Sequence, residues 1–172
     1  LMKYFNKFII TTIYLSYLLL TPLMAVEKTA FVDVEYLIQN SNIGKRVLTN
    51  INDLNNENIK LLKNINKDLK ELESKINNKK NIISEQDFND EVKIFQKKVK
   101  DSTIKKNEIV KEFNNFQKEE LKKVISAFNP IISNYMKQNS FNILLDSKNV
   151  FMGNSESNKT EVILKLINDK IS

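Results

Sequence analysis

From Val47 to Leu121 the chain contains neither Gly nor Pro. Within that run apolar residues recur in alternating steps of three and four. The first set is Leu48, Ile51, Leu62, Ile65, Leu69, Leu72 and Ile76, and the second is Phe88, Val92, Phe95, Val99, Ile109, Phe113 and Phe116. Such spacing places each set on one stripe of a helix, and a 3.5-residue repeat is the seam of a coiled coil. Between the sets lies Asn77 to Asp87, where Ser84 followed by Asp87 matches a helix-capping pattern. The spacing predicts two helices folded back on each other, each roughly 50 Å long at 1.5 Å per residue. The rival is a single helix, since the break holds neither Gly nor Pro.

Composition removes whole classes of chemistry. The chain has no His, no Cys and no Trp, and only Gly44 and Gly153 as glycines. That excludes Ser-His-Asp and Cys-His nucleophiles, His or Cys zinc sites and a Gly-rich phosphate loop. No catalytic residue, metal or cofactor is expected. Asp33 and Asp146 could pass for a carboxylate pair, but Asp at a strand end more often serves a turn or cap. The net charge is +6, carried by Lys apart from Arg46. The near-absence of Arg, which reads bases through bidentate contacts, argues against nucleic acid as a partner.

In chain order, residues 1–25 read as a secretory signal. Lys3 and Lys7 precede the uncharged apolar run Phe8 to Leu20, and Thr21 to Ala25 is the processing region, with cleavage expected after Ala25. The run is short for a spanning helix, which needs about 20 apolar residues. An uncleaved anchor is the alternative. Leu1 before Met2 points to an alternative start codon or to a start placed one residue early.

Thr29 to Val34 has the β-branched and aromatic content of a strand. A short helical turn, Glu35 to Asn40, and a joint at Ser41 to Gly44 follow, with Gly44 expected to permit unusual backbone angles. Past Gln117 the apolar positions restart as Leu121, Ile125, Phe128, Ile132 and Tyr135. The phase change turns the helix away from its hairpin partner, and Pro130 kinks it or begins another. Asn142 to Asp146 is a second strand. Val150-Phe151-Met152 is expected as a third, joined to it by a hairpin turn at Ser147-Lys148-Asn149. Thr160 to Ile171 is an amphipathic helix.

The fold class is therefore α+β: a small β-rich oligomerisation head with a long inserted antiparallel α-helical hairpin, a coiled-coil arm. Residues 26–46 and 121–172 make the head, and 47–120 the arm. A head of about seventy residues is near the size where a lone core is marginal, and short strands leave open edges. Both predict oligomerisation through the head, at Phe31, Val32, Val34, Leu144, Leu145, Val150 and Phe151, without fixing the number of subunits.

The chain ends carry a pattern that resembles the OmpH/Skp family of periplasmic chaperones. Ala30 to Ser41 with Gly44-Lys45 resembles that family's opening. Asn142 to Asp146, Val150-Phe151-Met152 and the helix from Thr160 resemble its close. The order of these pieces, with the hairpin inserted between the strands, is the specific part. The resemblance implies a homotrimer with helical arms around a cavity. It implies an ATP-independent holdase in the periplasm that captures unfolded outer-membrane proteins. One departure concerns the arm tip. Ser84 to Glu91 holds Glu85, Asp87, Asp90 and Glu91 but no Lys, so lipid or lipopolysaccharide contact falls to the shaft lysines. The rival class is a membrane-anchored envelope coiled-coil scaffold without chaperone activity.

Candidate client-binding residues are the apolar side chains off the seam, Leu54, Leu61, Ile94 and Ile104, with the shaft lysines Lys97, Lys98 and Lys105. Scattered surface apolar residues and a solvated Lys face are the plainer readings. The seam itself is uneven. Folding at Ile83–Glu85 sets Ile65 against Ser102, Leu62 against Lys106, Asn58 against Ile109 and Asn55 against Phe113, and polar seam residues weaken a coiled coil. The middle of the arm should be soft, with Lys106 snorkelling outward.

Overall fold

A computed structural model describes residues 28–171. The signal segment, its cut after Ala25 and the anchor alternative lie outside the described residues.

Strand β1 (Lys28–Val32) leads into helix α1 (Val34–Asn40), which Asp33 caps by accepting the Tyr36 N–H at 2.9 Å. Ser41 then serves two helices. Its N–H donates to the Leu37 carbonyl and ends α1, while its hydroxyl accepts the Gly44 N–H at 3.1 Å and opens α2 (Asn42–Lys79). Gly44 has no positive φ. It is needed for space: a Cβ there would lie 1.8 Å from the Ile38 carbonyl oxygen, so it permits a close approach and not the unusual backbone angle expected of it.

Helix α2 runs 38 residues and α3 (Glu85–Gln138) runs 54, packed antiparallel, so the hairpin holds and the single helix does not. Ser84 makes the start of α3 a sharp one. Its hydroxyl accepts the Asp87 N–H at 3.1 Å and donates to Asp87 Oδ2 at 2.7 Å. Across the tip, Lys79 Nζ meets Glu91 Oε1 at 2.6 Å. Helix α3 continues through Pro130 without restarting, so one rod carries the arm into the head.

Asn139 and Ser140 turn the chain into β2 (Phe141–Asp146), with Ser140 in the left-handed region at φ 57°. β1 and β2 pair in parallel, Ala30 beside Leu144 and Val32 beside Asp146. Parallel neighbours need a long crossover, and here the whole hairpin is that crossover.

The third strand does not form. Ser147–Asn149 is a 3-10 turn capped by Asp146, whose Oδ1 accepts the Lys148 N–H at 3.2 Å. A tight hairpin turn requires positive φ, and none of these three residues has it. Val150, Phe151 and Met152 therefore leave the sheet with no strand beside them, Val150 half-buried, and Phe151 and Met152 projecting into solvent. Asp33 and Asp146 both prove to be caps.

The chain closes with α4 (Thr160–Lys170). Buried Thr160 ties the ends together. Its Oγ1 accepts the Asp33 N–H at 2.9 Å and donates to Asn158 Oδ1 at 2.7 Å. Lys159 N–H donates to the Phe31 carbonyl. The core gathers Val32 and Leu37 from the start of the chain, Val124, Phe128 and Ile131 from α3, and Ile163 and Ile167 from α4.

Candidate functional site: the faces of the arm

Only Ile51, Ile76 and Ile109 are buried along the arm. Helix α2 adds half-buried Leu62, Ile65, Leu69 and Leu72, and α3 adds Phe88, Val92, Phe95, Phe113 and Phe116. Val99, expected in the seam, is 37% exposed. The polar layers lie where the periodicity puts them. Asn55, Asn58 and Ser102 are half-buried, as is Lys106, whose Nζ leaves the seam to donate to Asn66 Oδ1 at 2.5 Å. A crevice of about 70 Å³ opens between the helices at this level, lined by Asn55, Asn58, Leu62, Ile109 and Phe113.

The seam divides the rest of the surface into faces. At 3.6 residues per turn, Leu54 and Leu61 on α2 share one face with Ile94, Lys98 and Lys105 on α3. Ile104 and Lys97 lie toward the outer side of α3. The candidate residues thus do not converge on one patch. Ile94 is 66% exposed, Ile104 49% and Leu61 44%, while Leu54 is half-buried beside the seam. Lys97 and Lys98 are exposed, and Lys105 pairs with Glu108 at 3.9 Å.

Besides Ile82 at the tip, two exposed apolar side chains of the arm escape the sequence reading. Ile59 (53% exposed) and Val110 (49%) stand at the mouth of the crevice. Each directly follows a seam residue, Asn58 or Ile109. Checking both flanks of the seam for apolar residues would have found them.

In the head, Val32 is 2% exposed and belongs to the protomer's own core, so it is not available to a partner. Phe31, Val34, Leu144 and Val150 are half-buried, and Leu145 and Phe151 are exposed. Gly153 lies against Phe31, where a Cβ would come within 2.6 Å of the ring. An apolar groove of about 500 Å³ runs between α3 and β2, lined by Ile125, Phe128, Ile132, Met136 and Leu144. Among the described residues β2 bonds only β1, which leaves its other edge unpaired there.

The electrostatics are those of an exposed, ion-paired surface. Hydrogen bonding to Glu35, 2.6 Å away, and the charge of that carboxylate raise the Lys148 ammonium above its usual value. A hydrogen bond from Lys93, then one from Gln86, holds the Asp90 carboxyl low. Among the described residues no acidic cluster could hold a metal ion, and no helix is long and apolar enough to cross a membrane.

The described residues thus form a small two-stranded head with a long helical hairpin inserted in it. Residues 28–167 match the model of the outer membrane protein (OmpH-like) family, and the chain belongs to that family. The fold is also that of an OmpH-like protein of Caulobacter crescentus CB15, described from its crystal structure as a candidate outer membrane chaperone. The TM-score is 0.75 at 18% identity, over 86% of this chain and 87% of that one. A comparison with curated proteins returns no match.

Proposed function

We propose that the protein is an ATP-independent holdase of the periplasm, binding unfolded outer-membrane proteins between the arms of a homotrimer. The observation that carries this reading is an arm with few buried layers and solvent-facing aliphatic side chains on several sides: Leu61, Ile94 and Ile104, with Leu54 at the seam edge. A rigid spacer has no use for these, whereas a chaperone presents apolar surface to its clients. Family membership and the likeness to a candidate outer membrane chaperone support it. Lys97, Lys98 and Lys105 add a charged surround that attracts acidic clients or lipid headgroups. Assembly falls to the head, where the unpaired β2 edge, the apolar groove beside it and exposed Leu145 and Phe151 favour a second copy.

The test is suppression of aggregation of an unfolded outer-membrane β-barrel protein diluted from denaturant. The expected result is suppression at stoichiometric protein, weakened severalfold in Leu61→Ser/Ile94→Ser/Ile104→Ser and weakened by salt, which screens exposed charges beyond about 8–10 Å. Failure of the unaltered protein to suppress aggregation would overturn the chaperone reading in favour of a scaffold.

A further inference from the structure

The two faces of the arm differ in charge. In the middle of the arm, the face with Leu54 and Leu61 also carries Glu57, Asp68, Asp101, Glu108 and Glu112, by helical spacing. The opposite face follows Asn52, Asn55, Asn56, Ile59, Lys63 and Asn66 on α2, and Thr103, Lys106, Asn107, Val110 and Asn114 on α3. It holds two lysines, several amides and no carboxylate. Two contacts fix this side. The Lys106–Asn66 hydrogen bond spans the helices here, and Ile59 and Val110 both border the crevice.

We propose that this face is a binding site for an extended polypeptide segment bearing an aliphatic side chain next to a carboxylate. The crevice of about 70 Å³ exceeds the roughly 10–15 Å³ that a single water needs. On this proposal the branched end of a Leu or Ile side chain enters it between Ile59 and Val110. Lys63 stands one turn from Ile59, and Lys106 one turn from Val110, so a carboxylate beside the anchor meets positive charge and no acid. The Asn amides along both helices each offer a donor and an acceptor to an extended backbone, whose own groups are unpaired. Charge complementarity selects this occupant over a neighbouring arm. A second copy would bring either this same face, with its like charge, or the face of Leu61 and Ile94, whose carboxylates are interleaved with Lys98 and Lys105 and include Glu108, already paired with Lys105 at 3.9 Å.

The inference rests on the chaperone reading and narrows the chemistry of the client. The test uses the full exported protein and fluorescein-labelled ten-residue Ser/Gly peptides: one with Leu flanked by Asp, one with Leu flanked by Lys, and one with Ser flanked by Asp. Fluorescence anisotropy should show the Leu–Asp peptide binding about tenfold more tightly than either control, a difference of about 1.4 kcal/mol. Ile59→Ser/Val110→Ser should remove most of that preference, while Ile94→Ser should not. Both replaced side chains are half exposed, so helicity should persist, and circular dichroism checks it. Equal binding of the three peptides, or an unchanged preference in the double variant, overturns the site. So does a loss of self-association in Ile59→Ser/Val110→Ser seen by sedimentation, which would give the face to a second copy. Aggregation suppression by the unaltered protein is scored separately. If it holds while the peptide preference is absent, the site falls and the chaperone reading stands.

Discussion

The head and the middle of the arm solve the same problem differently. In the head, Leu37, Val124, Phe128, Ile163 and Ile167 are sealed from solvent although they come from three separate stretches of chain. In the arm, two helices of 38 and 54 residues bury only Ile109 between the levels of Ile51 and Ile76. Asn55, Asn58 and Lys106 occupy positions where a stable coiled coil places aliphatic side chains. Stability is thus concentrated where the chain ends meet and thinned out where the proposed client sits. Local opening follows sparse apolar contact, so the arm can change shape without the head losing its fold.

The largest effect that sharpens this contrast is within the head itself. Val32→Asp places an unpaired charge in the core, at a cost upward of about 4 kcal/mol, large against a total of about 5–15 kcal/mol. The expected outcome is an unfolded protomer by circular dichroism. Leu145→Asp, on the neighbouring strand but exposed, should leave the chain helical and dissociate the proposed oligomer, read by light scattering. If both variants merely dissociate, the head core is not what holds the protomer together.

A smaller effect tests the arm. In the unaltered protein without client, amides of 55–65 and 102–113 should exchange faster than those of 69–76 and 92–99. Asn58→Leu replaces the amide facing Ile109 by an aliphatic side chain. It should add about 1 kcal/mol locally and slow exchange in the middle segments roughly fivefold. Uniform protection along both helices would break the comparison.

The smallest effect is at the junction. Ser140 adopts φ 57° between α3 and β2, a conformation that glycine takes without the steric penalty of a Cβ. Ser140→Gly should stabilise the head by about 0.5 kcal/mol, read from denaturant midpoints, with arm exchange unchanged.

What the sequence disclosed follows the range of the interactions involved. The arm was legible because a helical seam repeats, and each residue's neighbours are a few positions away. Ser84 as a cap and Lys106 as a snorkelling seam residue follow from the same local logic. The third strand at Val150–Met152 was not legible. β-branched and aromatic content describes fitness for a sheet, but nothing local says whether a partner strand is within reach. The need for Gly44 is not legible either, because the Ile38 carbonyl that excludes a side chain there becomes a neighbour only once α1 and α2 fold together. Ile59 and Val110 are legible by the same spacing, each one residue past a seam position.

The bond between Asp33 and Thr160 joins residues 127 positions apart, and that separation has a kinetic meaning. Closing so long a loop in a random chain is slow, because the entropy must be lost before the contact repays it. The hairpin changes the path. Helix–turn–helix contacts between near neighbours are expected to form first, and zipping α2 along α3 would return the chain to its starting point, leaving only short segments to be joined. In a chain that emerges with its amino terminus first, β1 must wait unpaired until β2 and α4 arrive. The arm proposed to hold other proteins open is also the scaffold on which this one closes.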